Sequence, residues 1–138
     1  MLFRSNEVSS YRLVNRGCPQ GSALGPFLWN IFKNDLPLCV STDLSMFADD
    51  HQMHRSGHNQ EEVTYKLSAS ADQATRWYRS NLLVGSPKKY QTLNIGYRTE
   101  KTGSERASGG IRMNNEEIKT AETFKLLGVT IDSRLNFP

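Results

Sequence analysis

The chain has 138 residues, 17 Lys and Arg against 14 Asp and Glu, and a net charge of +3. That length matches one domain of roughly 100–200 residues, able to bury about two thirds of its unfolded surface, and excludes a chain built of two large lobes. Charged residues make up 22% and apolar residues 37%; this excludes a disordered charged tail, permits a polyanionic partner, and leaves a lean core that something outside the chain would complete.

Residues 7–15, EVSSYRLVN, mix β-branched and aromatic side chains and predict a short strand or hairpin arm. In residues 16–37, Gly17, Pro19 and Gly21 punctuate a turn, and Ser22 is placed to cap a helix. Leu24, Phe27, Leu28, Ile31 and Phe32 recur at helical spacing and predict that helix, with one apolar face. Pro26 falls in its first turn, where a missing N–H is tolerated, and Pro37 is expected to close it.

In residues 43–55, Leu44, Met46 and Ala48 alternate until Asp49 and Asp50 interrupt, which predicts two short strands around a tight Asp-Asp turn. From Glu61 to Ser80, the positions Val63, Leu67, Ala71, Ala74 and Trp77–Tyr78 predict an amphipathic helix. Gly85 and Pro87 break the chain, and Tyr90–Tyr97 reads as a strand. Residues 99–110 form a polar loop, residues 111–118 a hairpin turning at Asn114–Asn115, and residues 124–132 a last strand. The fold class is α+β, with short antiparallel strands packed with two main helices.

No apolar run approaches the roughly 20 residues of a membrane helix. The N-terminal MLFRSNEVSS lacks the apolar stretch of a signal peptide, and Cys18 and Cys39 make no disulfide framework. An intracellular setting, nuclear or cytoplasmic, is expected, with no secretion and no membrane.

Three stretches carry chemistry. Cys18-Pro19-Gln20-Gly21-Ser22 opens a helix, Phe47-Ala48-Asp49-Asp50 comes next, and the basic pair Lys88–Lys89 lies after the long helix. Adjacent carboxylates repel each other, so a protein either leaves them in water or uses them to hold a divalent cation. A solvated turn is the bland reading of an Asp-Asp pair. Against it, the apolar Met46, Phe47 and Ala48 lead directly up to the aspartates, as though the turn emerged from a core into a site. Gly17 and Gly21 allow close approach of backbone to a ligand, and Gln20 offers both a donor and acceptors to a base or sugar edge.

In this order, GCPQGSALGPFLWNIFKNDLP, MFADD, NLLVGSPKKYQTLNIG and FKLLGVTID resemble the reverse transcriptase domain of non-LTR (LINE-type) retrotransposons, over roughly residues 14–137. The resemblance implies a partial polymerase palm that transfers nucleotides onto a DNA primer along an RNA template, taking dNTPs and Mg²⁺ (or Mn²⁺). It implies that Asp49 is a direct metal ligand with Asp50 beside it, both at the catalytic centre. It places Gln20, Gly21 and Ser22 at the nucleotide and template pocket, with Phe47 able to pack against primer sugar. Lys89 matches a family lysine that can act as general acid or as electrostatic partner of pyrophosphate. The chain departs from the pattern there, with Gly85-Ser86 where Asn-Pro begins and Tyr90 in place of Thr. Phe124 to Val129 resembles the hairpin that grips the primer, although Leu126, Leu127 and Val129 also read as core.

The family's third metal-binding carboxylate lies on a strand well upstream of the Pro-Gln-Gly turn. Upstream of Gly17 this sequence has Glu7 and no Asp. The expectation is a single incomplete reverse transcriptase domain without fingers, first-aspartate strand or thumb, which does not polymerise by itself. The alternative is a non-catalytic nucleic-acid-binding remnant of a retroelement. Residues 85–106 carry a net +3 from Lys88, Lys89, Arg98, Lys101 and Arg106 against Glu100 and Glu105, along which nucleic acid could lie. His51, His54 and His58 come soon after the aspartates and raise a zinc site or a metal-dependent phosphoesterase as weaker readings. On a strand, however, His51 and His54 point to opposite faces, and His51 stands where the family commonly has Thr.

Overall fold

The computed structural model describes residues 3–4, 7–8, 10, 13, 17–18, 21–95, 110–114, 116–118 and 120–135. Met1–Asn34 forms one compact unit and Asp35–Pro138 another. The architecture is α+β, as the patterning predicts, in small sheets of paired strands.

In the first unit, β1 (Phe3–Arg4) pairs antiparallel with β2 (Glu7–Val8), so the strand expected over residues 7–15 is present at its start. α1 spans Gly25–Phe32. It begins there because the Ser22 Oγ accepts from the Gly25 N–H at 2.9 Å and Pro26 falls in the first turn, where no N–H is missed. It ends at Lys33, earlier than expected. Pro37 does not close this helix: it lies in the first turn of a separate short helix, α2 (Leu36–Cys39). Proline reads the same way at either end of a helix, being excluded from the interior and accepted in a first turn. The apolar stripe Leu24, Phe27, Leu28, Ile31 and Phe32 is exposed.

The second unit is organised by α3 (Gln60–Ser80). Asn59 caps it, its side chain accepting from Glu61 N at 2.9 Å and Glu62 N at 3.5 Å. Glu61 and Glu62 complement the positive end of the helix and Arg79 the negative end. A hydrogen bond from Lys66, one turn on, and then its charge hold the Glu62 carboxyl below its usual range. The predicted stripe faces inward. Ala71, Ala74 and Trp77 are buried, and Val63, Leu67 and Tyr78 are half-buried.

The core is small. Leu36 of α2 meets Ala74 and Trp77 of α3, and Val40, Leu44, Met46, Met53, Tyr78 and Leu83 pack around them. Polar ties fix the same layers. The Trp77 indole donates to Asp35 Oδ1 at 3.0 Å, and the Ser41 N–H donates to Gln73 Oε1 at 2.9 Å.

β3 (Asp43–Phe47) and β4 (Asp50–His54) form an antiparallel hairpin on α3. Beyond it, the chain makes a short 3₁₀ turn at Pro87–Lys89 and then β5 (Thr92–Leu93). The longer strand expected over 90–97 is thus two residues within the described part. β5 pairs parallel with β8 (Thr120–Ala121), whereas the other pairings among the described residues are antiparallel as expected. Residues 96–109, including most of the predicted polar loop, lie outside the described residues.

β6 (Ile111–Met113) and β7 (Glu116–Ile118) form the predicted hairpin, with Asn114 at φ 59°. Asn115 lies outside the described residues. β6 is stitched to α3: the Arg112 N–H donates to Ser68 Oγ at 3.0 Å and the Arg79 guanidinium to Asn114 Oδ1 at 2.7 Å. The segment that its pattern reads as a last strand is a hairpin, as the resemblance over Phe124 to Val129 implies: β9 (Thr123–Leu126) and β10 (Val129–Asp132). It turns at Leu127 (φ 46°) and Gly128 (φ 89°), the two positive φ values a type I′ turn requires. Leu127 and Val129 are 53% and 56% exposed, so of the three residues read as core Leu126 alone is half-buried.

Candidate active site

The hairpin register fixes where each side chain goes. Leu44 pairs with Met53 and Met46 with His51, and these face α3. Phe47 pairs with Asp50 on the opposite face. The turn therefore consists of Ala48 and Asp49, one residue earlier than the Asp-Asp turn read from the sequence, and Asp50 opens the return strand. Ala48 has φ 49°, a positive value at the first loop position, as in a type II′ turn. Asp49 and Asp50 are both exposed, and Phe47 beside them is 63% exposed. An apolar ring and two carboxylates thus share the tip of a hairpin whose other face is half-buried against α3.

What holds the tip is α3. A 2.6 Å hydrogen bond joins His51 Nδ1 to the Tyr78 hydroxyl, and the two rings stack with centroids 5.8 Å apart. Burial, and then the nearby phenol of Tyr90, push the Tyr78 pKa up to about 12, so this hydroxyl keeps its proton. His54 Nε2 lies 3.0 Å from Ser45 Oγ on the outer face, so the two histidines diverge as the strand geometry predicts. Among the described residues, no three His, Cys, Asp or Glu side chains gather as a metal-holding group.

The other predicted residues lie elsewhere. Gly21 (φ 78°) and Ser22 belong to the first unit, where the positive φ favours glycine and the Ser22 hydroxyl accepts from the Gly25 N–H at the start of α1. Gln20 lies outside the described residues, as do Arg98, Lys101 and Arg106. Lys89 is exposed at the end of the 3₁₀ turn, its N–H donating to Ser86 O at 2.9 Å. Its neighbour Tyr90 is half-buried, and a Cβ on Gly85 would overlap the Tyr90 hydroxyl. The departure from the family pattern at Gly85 thus goes with the departure at Tyr90. The residue that sequence reasoning missed is Tyr78, read there as one more apolar position of the stripe. The available signal was chemical: a phenol on a buried face needs a hydrogen-bond partner.

A hairpin presenting two carboxylates from a helix-backed α+β layer fits the phosphoryl-transferring polymerases. The chain belongs to the reverse transcriptase (RNA-dependent DNA polymerase) family, whose pattern it matches over residues 1–131. Its relatives are polymerases of non-LTR retrotransposons. It is 27% identical over 138 residues to the RNA-directed DNA polymerase from mobile element jockey of Drosophila melanogaster, covering 94% of this chain and 14% of that protein. It is 30% identical over 141 residues to the protein named probable RNA-directed DNA polymerase from transposon BS of Drosophila melanogaster, covering 96% and 15%. It is 27% identical over 125 residues to the retrovirus-related Pol polyprotein from type-1 retrotransposable element R1 2 of Nasonia vitripennis, covering 88% and 30%. The chain therefore spans less than a third of each of these relatives. No solved structure matches it.

The family works with divalent metal ions and acts on nucleic acid template and dNTPs. The donor set here suits such an ion. Mg²⁺ takes one or two carboxylates and completes its shell with water and phosphate oxygens. Among the described residues, no helix is long and apolar enough to cross a membrane.

Proposed function

We propose that this chain is the palm portion of a non-LTR retrotransposon reverse transcriptase, and that Asp49 and Asp50 are its share of the metal-holding site for RNA-templated DNA synthesis. The observation that carries this is the exposed pair of carboxylates at the tip of a hairpin seated on α3. When bound there, Mg²⁺ or Mn²⁺ supplies charge neutralisation to the reacting phosphates. The chain's own residues do the rest. Asp49 and Asp50 hold the cation. Phe47, on the same face as Asp50, gives a primer sugar an apolar surface. Gly21 admits backbone close to a nucleotide, with Gln20 and Ser22 beside it. Lys89 offers positive charge to a pyrophosphate leaving group. This work belongs inside the cell, in nucleus or cytoplasm.

The two carboxylates of this hairpin are the ones that the described residues bring to the site, fewer than a two-metal centre uses, so these 138 residues are proposed not to polymerise unaided. A second reading, a non-catalytic nucleic-acid-binding module, draws on the exposed Lys88 and Lys89. The test combines primer extension and binding, with an RNA template, a DNA primer, dNTPs and Mg²⁺. The expected result is salt-sensitive binding of the hybrid, strengthened by Mg²⁺ in the wild type and not in Asp49→Ala, without extension above the Asp49→Ala control. Binding with no Mg²⁺ dependence supports the module instead, and an absence of binding removes both readings.

A further inference from the structure

His51 is a position where this sequence departs from the pattern it resembles, and it reaches Tyr78 of α3. His51 directly follows Asp50 and sits on the inner face of the hairpin, paired with Met46. Its Nδ1 is 2.6 Å from the Tyr78 hydroxyl. Apolar side chains such as Leu44, Met46 and Met53 hold the hairpin against α3 but leave its slide along the helix loosely specified, because dispersion contacts are non-directional. One short hydrogen bond between a strand side chain and a helix side chain removes that freedom. Tyr78 itself is fixed through its neighbours: Trp77 donates to Asp35 Oδ1 at 3.0 Å, and the Leu83 N–H donates to the Tyr78 carbonyl at 2.8 Å.

We propose that Tyr78 is a positioning residue for the metal site: through His51 it sets the placement of the strand that begins with Asp50, and with it the geometry of both carboxylates. The proposal rests on the reading of Asp49 and Asp50 as the metal-holding pair. Residues that orient a ligand without touching the metal commonly change affinity by about 10–100-fold when lost. Tyr78→Phe keeps the ring, and with it the stack on His51, while deleting the hydroxyl. His51→Asn keeps a polar atom near the position of Nδ1.

The test uses the whole chain and Mn²⁺ as the probe, read as free Mn²⁺ by electron paramagnetic resonance. The second readout is hydrogen exchange of the peptide covering residues 43–54. Tyr78→Phe is expected to weaken Mn²⁺ binding about tenfold with an unchanged far-UV spectrum. His51→Ala does the same, the double variant loses no more than either single, and His51→Asn recovers most of the affinity. Hairpin exchange rises in Tyr78→Phe. Wild-type Mn²⁺ affinity in Tyr78→Phe, or fully additive losses, overturns the proposal. If the wild type binds no Mn²⁺, the reading of the aspartates fails, and exchange alone decides the clamp: unchanged exchange in Tyr78→Phe overturns it.

Discussion

Phe47 and Asp50 face each other across the β3–β4 pair, on the side of the hairpin turned away from α3. The carboxylate therefore leaves the core beside an aromatic ring that is 63% exposed. Exposure of so large a ring is costly to solubility and gains nothing for the core, whereas beside the proposed cation site it would offer a primer sugar an apolar surface. Phe47→Ala should accordingly change stability by less than about 0.5 kcal/mol, measured by urea unfolding, and should weaken binding of a primer–template hybrid. A large loss of stability would mean that the ring is part of the core.

The turn next to it is strained. Ala48 adopts φ 49°, where an L side chain costs roughly 1–2 kcal/mol and glycine does not. Ala48→Gly should therefore stabilise the chain by about 1 kcal/mol, visible as a higher urea midpoint with the same slope. No gain would show that the loop conformation is not the one described.

The core depends on few residues. Leu36 is 0% exposed and sits between Ala74 and Trp77. Leu36→Ala should cost about 2–5 kcal/mol, enough to unfold a marginal domain of this size at physiological temperature. Thermal melting followed by circular dichroism would measure it.

Alkaline pH should loosen the clamp. The Tyr78 pKa stands at about 12 against an ordinary 10.0, so the folded chain holds this proton more tightly than the unfolded chain. The contribution is complete below pH 10 and is lost as pH rises through about 12. Its ceiling of about 2.7 kcal/mol falls to roughly 1 kcal/mol once solvent screening at a half-buried ring is allowed for. Unfolding free energies from pH 9 to 12 should fall less steeply in Tyr78→Phe than in wild type; Tyr90 remains in both and contributes in the same direction.

Much of this fold is legible in the sequence. The α3 stripe is read from the spacing of Val63, Leu67, Ala71, Ala74 and Trp77, because a long amphipathic helix leaves a strong period. The aspartate hairpin is read from alternation. Its turn lies one residue earlier than alternation suggests, because Ala48 in a left-handed conformation has no compositional signature. Leu127 hides the β9–β10 turn for the same reason. The parallel pairing of Thr92 with Thr120 joins segments far apart in the chain, and local pattern is silent on it. The two carboxylates are plain in the sequence, but the His51–Tyr78 bond that seats them arises from three-dimensional packing alone.

Paramagnetic relaxation by Mn²⁺ in the ¹⁵N-labelled chain tests the metal site most directly. Low Mn²⁺ should broaden the amides of Phe47 to His51 first, excess Mg²⁺ should reverse the broadening, and Asp49→Ala should abolish it. Broadening centred on other residues, or surviving in Asp49→Ala, would contradict the assignment of this hairpin as the metal site.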